Sequence, residues 1–375
     1  MVKRLLLGVS ALLAIGAGIL GYIYQKKSPT AADMLSFIKE NPQRASLHYI
    51  QDGEVKVAFH SEKMMPLAST VKTVIAIEYA KQSAQGKLQP KNMVPLDELE
   101  RYYLPNLDGG AHSAWRTSLE QKGAVKNGMV SLEEVAKGMI QYSSNANTEY
   151  LMQRLGKKNI DQTLVDLGLS RHEAIYPFVS SLLLPYELMA ADTSGGSEKE
   201  ALARAKKKMA AMSDEEWAAY AWRIHEKLAN DADGTYKNGS GIERWYDGDI
   251  DKMNSERFPS ATAKEYAELM QKINSRTYFS KEVQTYLHPL LEGIMENPAN
   301  KQWLQHAGKK GGSTAYILTD AMYATTKEGT RTELAVFFHH LQPEEVEKLT
   351  GSLNEFELLL LQDKAFQTKV SSELQ

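Results

Sequence analysis

"PLASTVKTVIAIEYA", residues 66–80, sets a serine and a lysine three residues apart at the mouth of a run rich in β-branched side chains. Intrinsic preference alone favours a strand from Thr70 to Ile77. In a strand, Ser69 and Lys72 would point to opposite faces and could not share a proton. In a helix, positions i and i+3 lie on one face. A serine hydroxyl is a poor nucleophile until a neighbouring base takes its proton. A lysine among Val71, Val74, Ile75 and Ile77 would lose proton affinity, because burial penalises the ammonium form. The stretch therefore reads as a core helix whose burial overrides weak propensity, with one polar face at its start.

The rest of the chain narrows the setting. Its 375 residues suffice for one large domain or two modest ones. A net charge of −3 offers no concentrated basic face for nucleic acid, and a mean hydropathy of −0.41 excludes a polytopic membrane protein. Cysteine is absent, which removes disulfides, thiolate nucleophiles and Cys-ligated zinc. Neither His172-Glu173 nor His225-Glu226 is followed by a second histidine at zincin spacing. There is no G-x-S-x-G elbow and no P-loop, and His339-His340 reads as an exposed strand end. No metal and no cofactor are expected.

At the N-terminus, Leu5 to Tyr24 carries no charge and lies between Lys3-Arg4 and Lys26-Lys27. About twenty apolar residues match a hydrocarbon thickness of roughly 30 Å, and Tyr22 and Tyr24 suit an interface. A removed signal segment would have a shorter apolar core. Residues 1–27 are thus expected to be a membrane anchor, with a cleaved signal as the alternative, and residues 28–375 an extracytoplasmic domain, secreted if the segment is cleaved.

Ala31 to Glu40 reads as a helix, and "ASLHYIQDGEVKVAFH" as two strands turning at Asp52-Gly53. "VSLEEVAKGMIQYSSNANTEYLMQRLG" reads as a capped helix with an interruption. From about 194 to 258 the composition shifts to charged amphipathic helices and the loop "DADGTYKNGSGIERWYDGD", whose charges read as solvated faces. "AYILTDAMYAT" and "TELAVFFHH" alternate as antiparallel strands, and a final helix begins near Pro343. The expected fold is α/β of the α+β kind. An antiparallel sheet is assembled from both chain ends and flanked by helices, with an all-helical insertion at about 194–258.

Three short elements follow in order: Ser69-Thr70-Val71-Lys72, Ser143-Ser144-Asn145 and Lys310-Gly311-Gly312-Ser313. Together they resemble the S-x-x-K, S-D-N and K-T-G series of the penicillin-recognising serine hydrolases, class A β-lactamases and D-Ala-D-Ala peptidases. The resemblance spans roughly residues 45 to 360. It implies Ser69 as nucleophile, Lys72 as base and Ser143 as proton relay to the leaving nitrogen. It further implies that Asn145, Lys310, Gly312 and Ser313 bind substrate, with the Ser69 and Ser313 N–H groups forming an oxyanion hole. Gly311 and Gly312 would let substrate approach the strand closely. Asp320, ten residues after Lys310, favours Lys310 over Lys309 in this role.

Ser144 and Gly311 depart from that pattern by replacing an aspartate and a hydroxyl residue. The E-x-x-L-N element that supplies a deacylation base in class A enzymes is missing; Glu187 is the better stand-in, ahead of Glu173. The expected activity is serine hydrolysis of β-lactam or D-Ala-D-Ala-like amides through an acyl-enzyme. The alternatives are a slowly deacylating D,D-peptidase and a membrane-anchored sensor of β-lactam or peptidoglycan without turnover. The expected partners are a small-molecule or stem-peptide amide and, through the N-terminal segment, a membrane. The chain is expected to be a monomer.

Overall fold

The computed structural model describes residues 29–105 and 107–374. The segment on which the anchor expectation rests lies outside them. Among the described residues, no helix is long and apolar enough to cross a membrane.

The chain enters through helix α1 (Ala31–Glu40), held at its start by a reciprocal Thr30–Asp33 capping box. Strands β1 (Ala45–Gln51) and β2 (Glu54–Phe59) follow. Asp52 and Gly53 both adopt positive φ, 52° and 84°, as a two-residue hairpin turn requires. Helix α2 (Lys72–Ala84) carries the opening stretch, and α3 (Asn145–Leu155) follows the second motif. The insertion contributes α4 (Glu198–Ala211), α5 (Asp214–Ala229) and α6 (Gly248–Glu256). Strands β3 (Leu304–Ser313), β4 (Leu318–Thr326) and β5 (Arg331–Phe338) then complete the sheet, and α7 (Pro343–Gln362) covers it.

The sheet is antiparallel with strand order β2-β1-β5-β4-β3, so the two chain ends meet where β1 pairs with β5. Side chains alternate across it. Ile50, Ala321, Tyr323, Ala335 and Phe337 join the core shared with α2 and the helical region. Leu47, Tyr49, Met322, Val336 and Phe338 join the opposite core, with Met34 and Ile38 of α1 and Phe356 and Leu360 of α7.

Helix α2 is enclosed on nearly every side, so even Lys72, Thr73 and Glu78 are buried with its apolar residues. Val74, Ile75, Ala76 and Ile77 are fully buried. Each β-branched residue costs a few tenths of a kcal/mol in helix propensity, while burying it stabilises by about 1.5–3 kcal/mol. Burial wins, and the strand preference is overridden.

The 194–258 stretch is more closely packed than its charge suggests. Trp217, Ile224 and Leu228 are buried on one stripe of α5. The segment read as a loop forms short helical turns around Trp245, which is buried and donates Nε1–H to the Ser240 carbonyl at 2.8 Å.

Candidate active site

Ser69 lies in a single 3₁₀ turn, Ala68–Val71, immediately ahead of α2. Ala68 holds φ at 44°, a left-handed conformation costly for a residue with a Cβ. The surroundings enforce it. The Thr70 N–H donates to the Leu67 carbonyl at 3.0 Å, and the Thr319 hydroxyl of β4 donates to the same carbonyl at 2.7 Å. Thr70 Oγ1 lies 2.8 Å from Thr319 Oγ1, so two buried threonines bind the nucleophile turn to the sheet.

The second element is placed by an irregular helix. Leu132–Lys137 is α-helical, Gly138–Tyr142 widens into a π turn, and Ser143 then takes φ 67°. Such widened turns push a residue out of the helical path. A Cβ on Gly138 would stand 2.2 Å from Asn147 Nδ2 and 2.5 Å from Trp115 Nε1, so only glycine fits. Ser144 is fully buried: its hydroxyl donates to Asn147 Oδ1 at 3.0 Å, and its Oγ lies 2.9 Å from His112 Nδ1.

The lysines converge on Ser143. Lys72 Nζ donates to the Ser143 carbonyl at 2.6 Å and to Asn145 Oδ1 at 2.8 Å, and it lies 3.3 Å from Ser143 Oγ. Lys310 Nζ reaches the same Oγ at 3.0 Å and the Gly311 carbonyl at 2.8 Å. Burial first, and the Lys310 charge second, hold Lys72 well below the ordinary lysine range, although Asp108 and Glu149 pull the other way. A neutral amine has two N–H groups and one lone pair. Once deprotonated, Lys72 can still donate to the Ser143 carbonyl and Asn145 Oδ1 and keep its lone pair for a hydroxyl proton. The Ser69 hydroxyl makes no hydrogen bond among the described residues and lines the cleft.

Strand β3 is the free edge of the sheet and closes the site. Thr314 N–H donates inward to the Ile317 carbonyl at 3.0 Å, so the preceding Ser313 amide turns to the open edge. Gly312 lies against the nucleophile turn: a Cβ there would stand 2.4 Å from the Ser69 nitrogen. The two candidate oxyanion donors, Ser69 N–H and Ser313 N–H, are thereby neighbours. Lys309 points to the other sheet face, where it meets Asp320 at 2.9 Å and Glu357 at 2.6 Å. Asp320 is thus the partner of Lys309, and Lys310 alone faces Ser143.

Ser69, Ser143, Asn145, Gly312 and Ser313 line one cleft of about 840 Å³, with Lys72 and Lys310 buried beneath its floor. Glu187 is not among the lining residues. Its carboxylate is held at 2.6 Å by Lys227 and at 2.5 Å by the Tyr236 hydroxyl, within the helical insertion. The expectation that it activates a deacylating water is not met by this placement. Glu173 receives the Ser260 N–H at 2.8 Å. What stands beside Lys72 is the Phe178 ring, 5.7 Å from Nζ.

Sequence reading missed what seats that phenylalanine. Glu149 is buried and accepts hydrogen bonds from Val179 N–H at 2.9 Å, Ser180 N–H at 3.0 Å and Ser180 Oγ at 2.8 Å. The oxygen that takes the Ser180 hydroxyl also meets His225 Nδ1 of α5 at 2.5 Å, and Tyr102 stacks on that imidazole. A charged residue on the inner face of α3 was the only signal available.

The fold and site define a serine hydrolase built on a mixed α/β scaffold. A family model, the beta-lactamase enzyme family, matches residues 29–354, and the chain belongs to that family. A comparison with curated proteins gives no match. Among solved structures, a beta-lactamase from Chitinophaga pinensis is similar at a TM-score of 0.51 and 14% identity, over 88% of this chain and 97% of that one. A beta lactamase from Burkholderia vietnamiensis gives 0.51 and 12%, over 91% and 99%. A class A beta-lactamase from Mycobacterium abscessus gives 0.50 and 12%, over 89% and 98%. At these identities the likeness is one of fold.

Proposed function

We propose that the chain opens β-lactam or D-Ala-D-Ala-like amides through an acyl-enzyme on Ser69 and releases the acyl group slowly, as a D,D-peptidase does. The observation that carries this reading is the meeting of Lys72, Lys310 and Ser143 Oγ beside the contact between Gly312 and the Ser69 turn. Lys72, its proton affinity lowered by burial, takes the Ser69 proton as Oγ bonds to the carbonyl carbon. The oxyanion forms between the Ser69 and Ser313 N–H groups. As the C–N bond breaks, Ser143 passes its hydroxyl proton to the leaving nitrogen and is reprotonated from Lys72. Lys310 and Ser313 hold a substrate carboxylate, and Asn145 the acyl-side amide.

Slow release follows from Phe178. It places an apolar ring 5.7 Å from Lys72 Nζ, and neither Glu187 nor Glu173 lines the cleft. Residues 5–24 would tether the domain outside the cytoplasm.

Incubation with a labelled penicillin tests the reading. The wild type is expected to retain label on Ser69 for many minutes, and Ser69→Ala to take up none. Release within seconds would refute slow deacylation, and label on Ser69→Ala would refute the nucleophile.

The two lysines also set a pH profile. Burial lowers Lys310 to about 8, against the pull of Asp320. Acylation by a penicillin should therefore rise as Lys72 loses its proton, then fall above about pH 8 as Lys310 loses the charge that binds the carboxylate. The second-order rate constant measured from pH 5 to 10 checks this. The methyl ester of the same penicillin, lacking that carboxylate, should show a much weaker alkaline fall.

A further inference from the structure

The insertion at 194–258 supplies none of the acylating groups, yet it grips the part of the cleft wall that stands beside Lys72. That part is the segment 176–183, from which Phe178, Val179 and Leu182 line the cleft. Resting on the slow acyl-enzyme reading, we propose that the insertion is a brake on deacylation. It fixes Phe178 beside the site, with His225 as the positioning residue and Glu149 as its link to the segment.

Three sets of contacts join the insertion to 176–183. The first runs through Glu149 of α3. A carboxylate offers four lone-pair sites, and four donors fill those of Glu149. Val179 N–H, Ser180 N–H and the Ser180 hydroxyl come from the segment, and His225 Nδ1 comes from α5 of the insertion. Glu149 and His225 are 1% and 0% exposed, so solvent does not share this junction. The imidazole has little room to swing, because Tyr102 stacks on it at 5.1 Å and Trp222 meets it edge-on at 5.4 Å. Its Nε2 is buried and has no hydrogen-bond partner among the described residues, so the Glu149 bond is the one the ring makes.

The second set runs through α6. Ser181 Oγ lies 2.7 Å from the Phe178 carbonyl and 3.0 Å from Asn254 Oδ1. The third is direct. The Phe178 ring packs on Phe258 at 5.1 Å between centroids, and the Tyr176 hydroxyl donates to the Arg257 carbonyl. Held from α5, from α6 and from the chain just beyond it, the segment keeps the Phe178 ring 5.7 Å from Lys72 Nζ.

What the ring governs is water. Once the leaving nitrogen has taken its proton, Lys72 is again free to act as a base. Release needs a water whose oxygen bonds to the acyl carbon while its proton passes to Lys72 and on to Ser69 Oγ, as the ester C–O bond breaks. An apolar ring offers that water no hydrogen bond, and a closed apolar wall excludes it. Loosening the segment admits water beside an amine able to receive its proton. Acylation uses Ser69, Lys72, Ser143, Lys310 and the Ser313 N–H, none of which lies on 176–183, so it does not depend on the clamp.

The full-length chain and a labelled penicillin form the test, with uptake and loss of label timed separately. His225→Phe keeps a ring for Tyr102 to stack on and removes the donor. It should lose label about tenfold faster or more, part of the roughly 10²–10⁴-fold that a base acting on water supplies. Its uptake should change by no more than about threefold. His225→Asn, whose amide N–H replaces Nδ1–H on Glu149, should restore the lifetime to within about threefold of the wild type. A residue that merely supported the fold would lower uptake and melting temperature without shortening the lifetime. The brake is overturned if His225→Phe takes up label normally and keeps it as long as the wild type, or if His225→Asn loses label as fast as His225→Phe. Should His225→Phe not fold, Phe258→Ala carries the test, since that ring is only half-buried. It should shorten the lifetime by about threefold or more, and an unchanged lifetime there would also overturn the brake. Failure of the wild type to take label, or its loss of label within seconds, would instead overturn the reading on which the brake rests.

Discussion

Lys72→Ala is expected to lower the rate of Ser69 acylation at neutral pH by about 10³-fold or more, with little loss of the folded state. General-base catalysis contributes about 10²–10⁴-fold. Here the same amine also positions Ser143 and Asn145, through contacts of 2.6 and 2.8 Å, so its loss affects both relay and substrate amide. A thousandfold loss corresponds to roughly 4 kcal/mol of transition-state stabilisation. The fold should tolerate the change, because burying an amine is itself unfavourable and its removal relieves that cost. Lys72→Arg is the informative partner variant. It keeps a cation near Ser143 but cannot be deprotonated, so it should be as inactive as alanine. Stopped-flow acylation by a chromogenic β-lactam, with a thermal melt on each variant, checks both expectations. Normal acylation by Lys72→Ala would refute Lys72 as the base.

The parts legible in the sequence were those in which chemistry constrains short spacings. Ser69 and Lys72 fall within one turn, and Ser143 and Asn145 flank a helix start. Lys310 to Ser313 occupy four consecutive strand positions, so each element could be recognised locally. The Asp52-Gly53 hairpin was legible for the same reason. What stayed hidden was built from contacts between distant segments. Glu149 meets Val179 and His225 across 30 and 76 positions, and nothing local marks the three as partners. Glu187 had a plausible sequence position for a base, but Lys227 and Tyr236, 40 and 49 positions away, claim its carboxylate. The charges of 194–258 read as solvent-facing because amphipathic helices usually present them so. Most do; Asp251 faces the cleft because the stretch folds back along its outer wall. Phe178 was invisible as a site residue, since an aromatic in an apolar run reads as core until its neighbour is seen to be Lys72.

Gly312→Ala is expected to reduce acylation by about 10²-fold or more and to lower thermal stability. The added Cβ would stand 2.4 Å from the Ser69 nitrogen, 2.8 Å from the Thr70 nitrogen and 2.9 Å from the Leu67 carbonyl oxygen. All three are backbone atoms, so no side chain can rotate aside. Nor can the nucleophile turn retreat. The Thr319 hydroxyl grips Leu67 from behind, Thr70 Oγ1 reaches the Lys310 carbonyl at 3.2 Å, and the fully buried α2 follows at once. The strain must instead move β3, which is the free edge of the sheet and the easier element to displace. Such a shift parts the Ser313 N–H from the Ser69 N–H and draws Lys310 off Ser143. Loss of one oxyanion donor costs about 10²–10³-fold in rate, and a misplacement of roughly 1 Å has a comparable effect. Ser313→Ala is the control. It keeps the backbone donor and removes only an exposed hydroxyl, so acylation should fall by no more than about tenfold and stability should hold. Acylation rates and melting temperatures of the two variants distinguish the cases. If Gly312→Ala acylates as the wild type does, the close approach of strand and nucleophile turn is not what assembles the oxyanion hole.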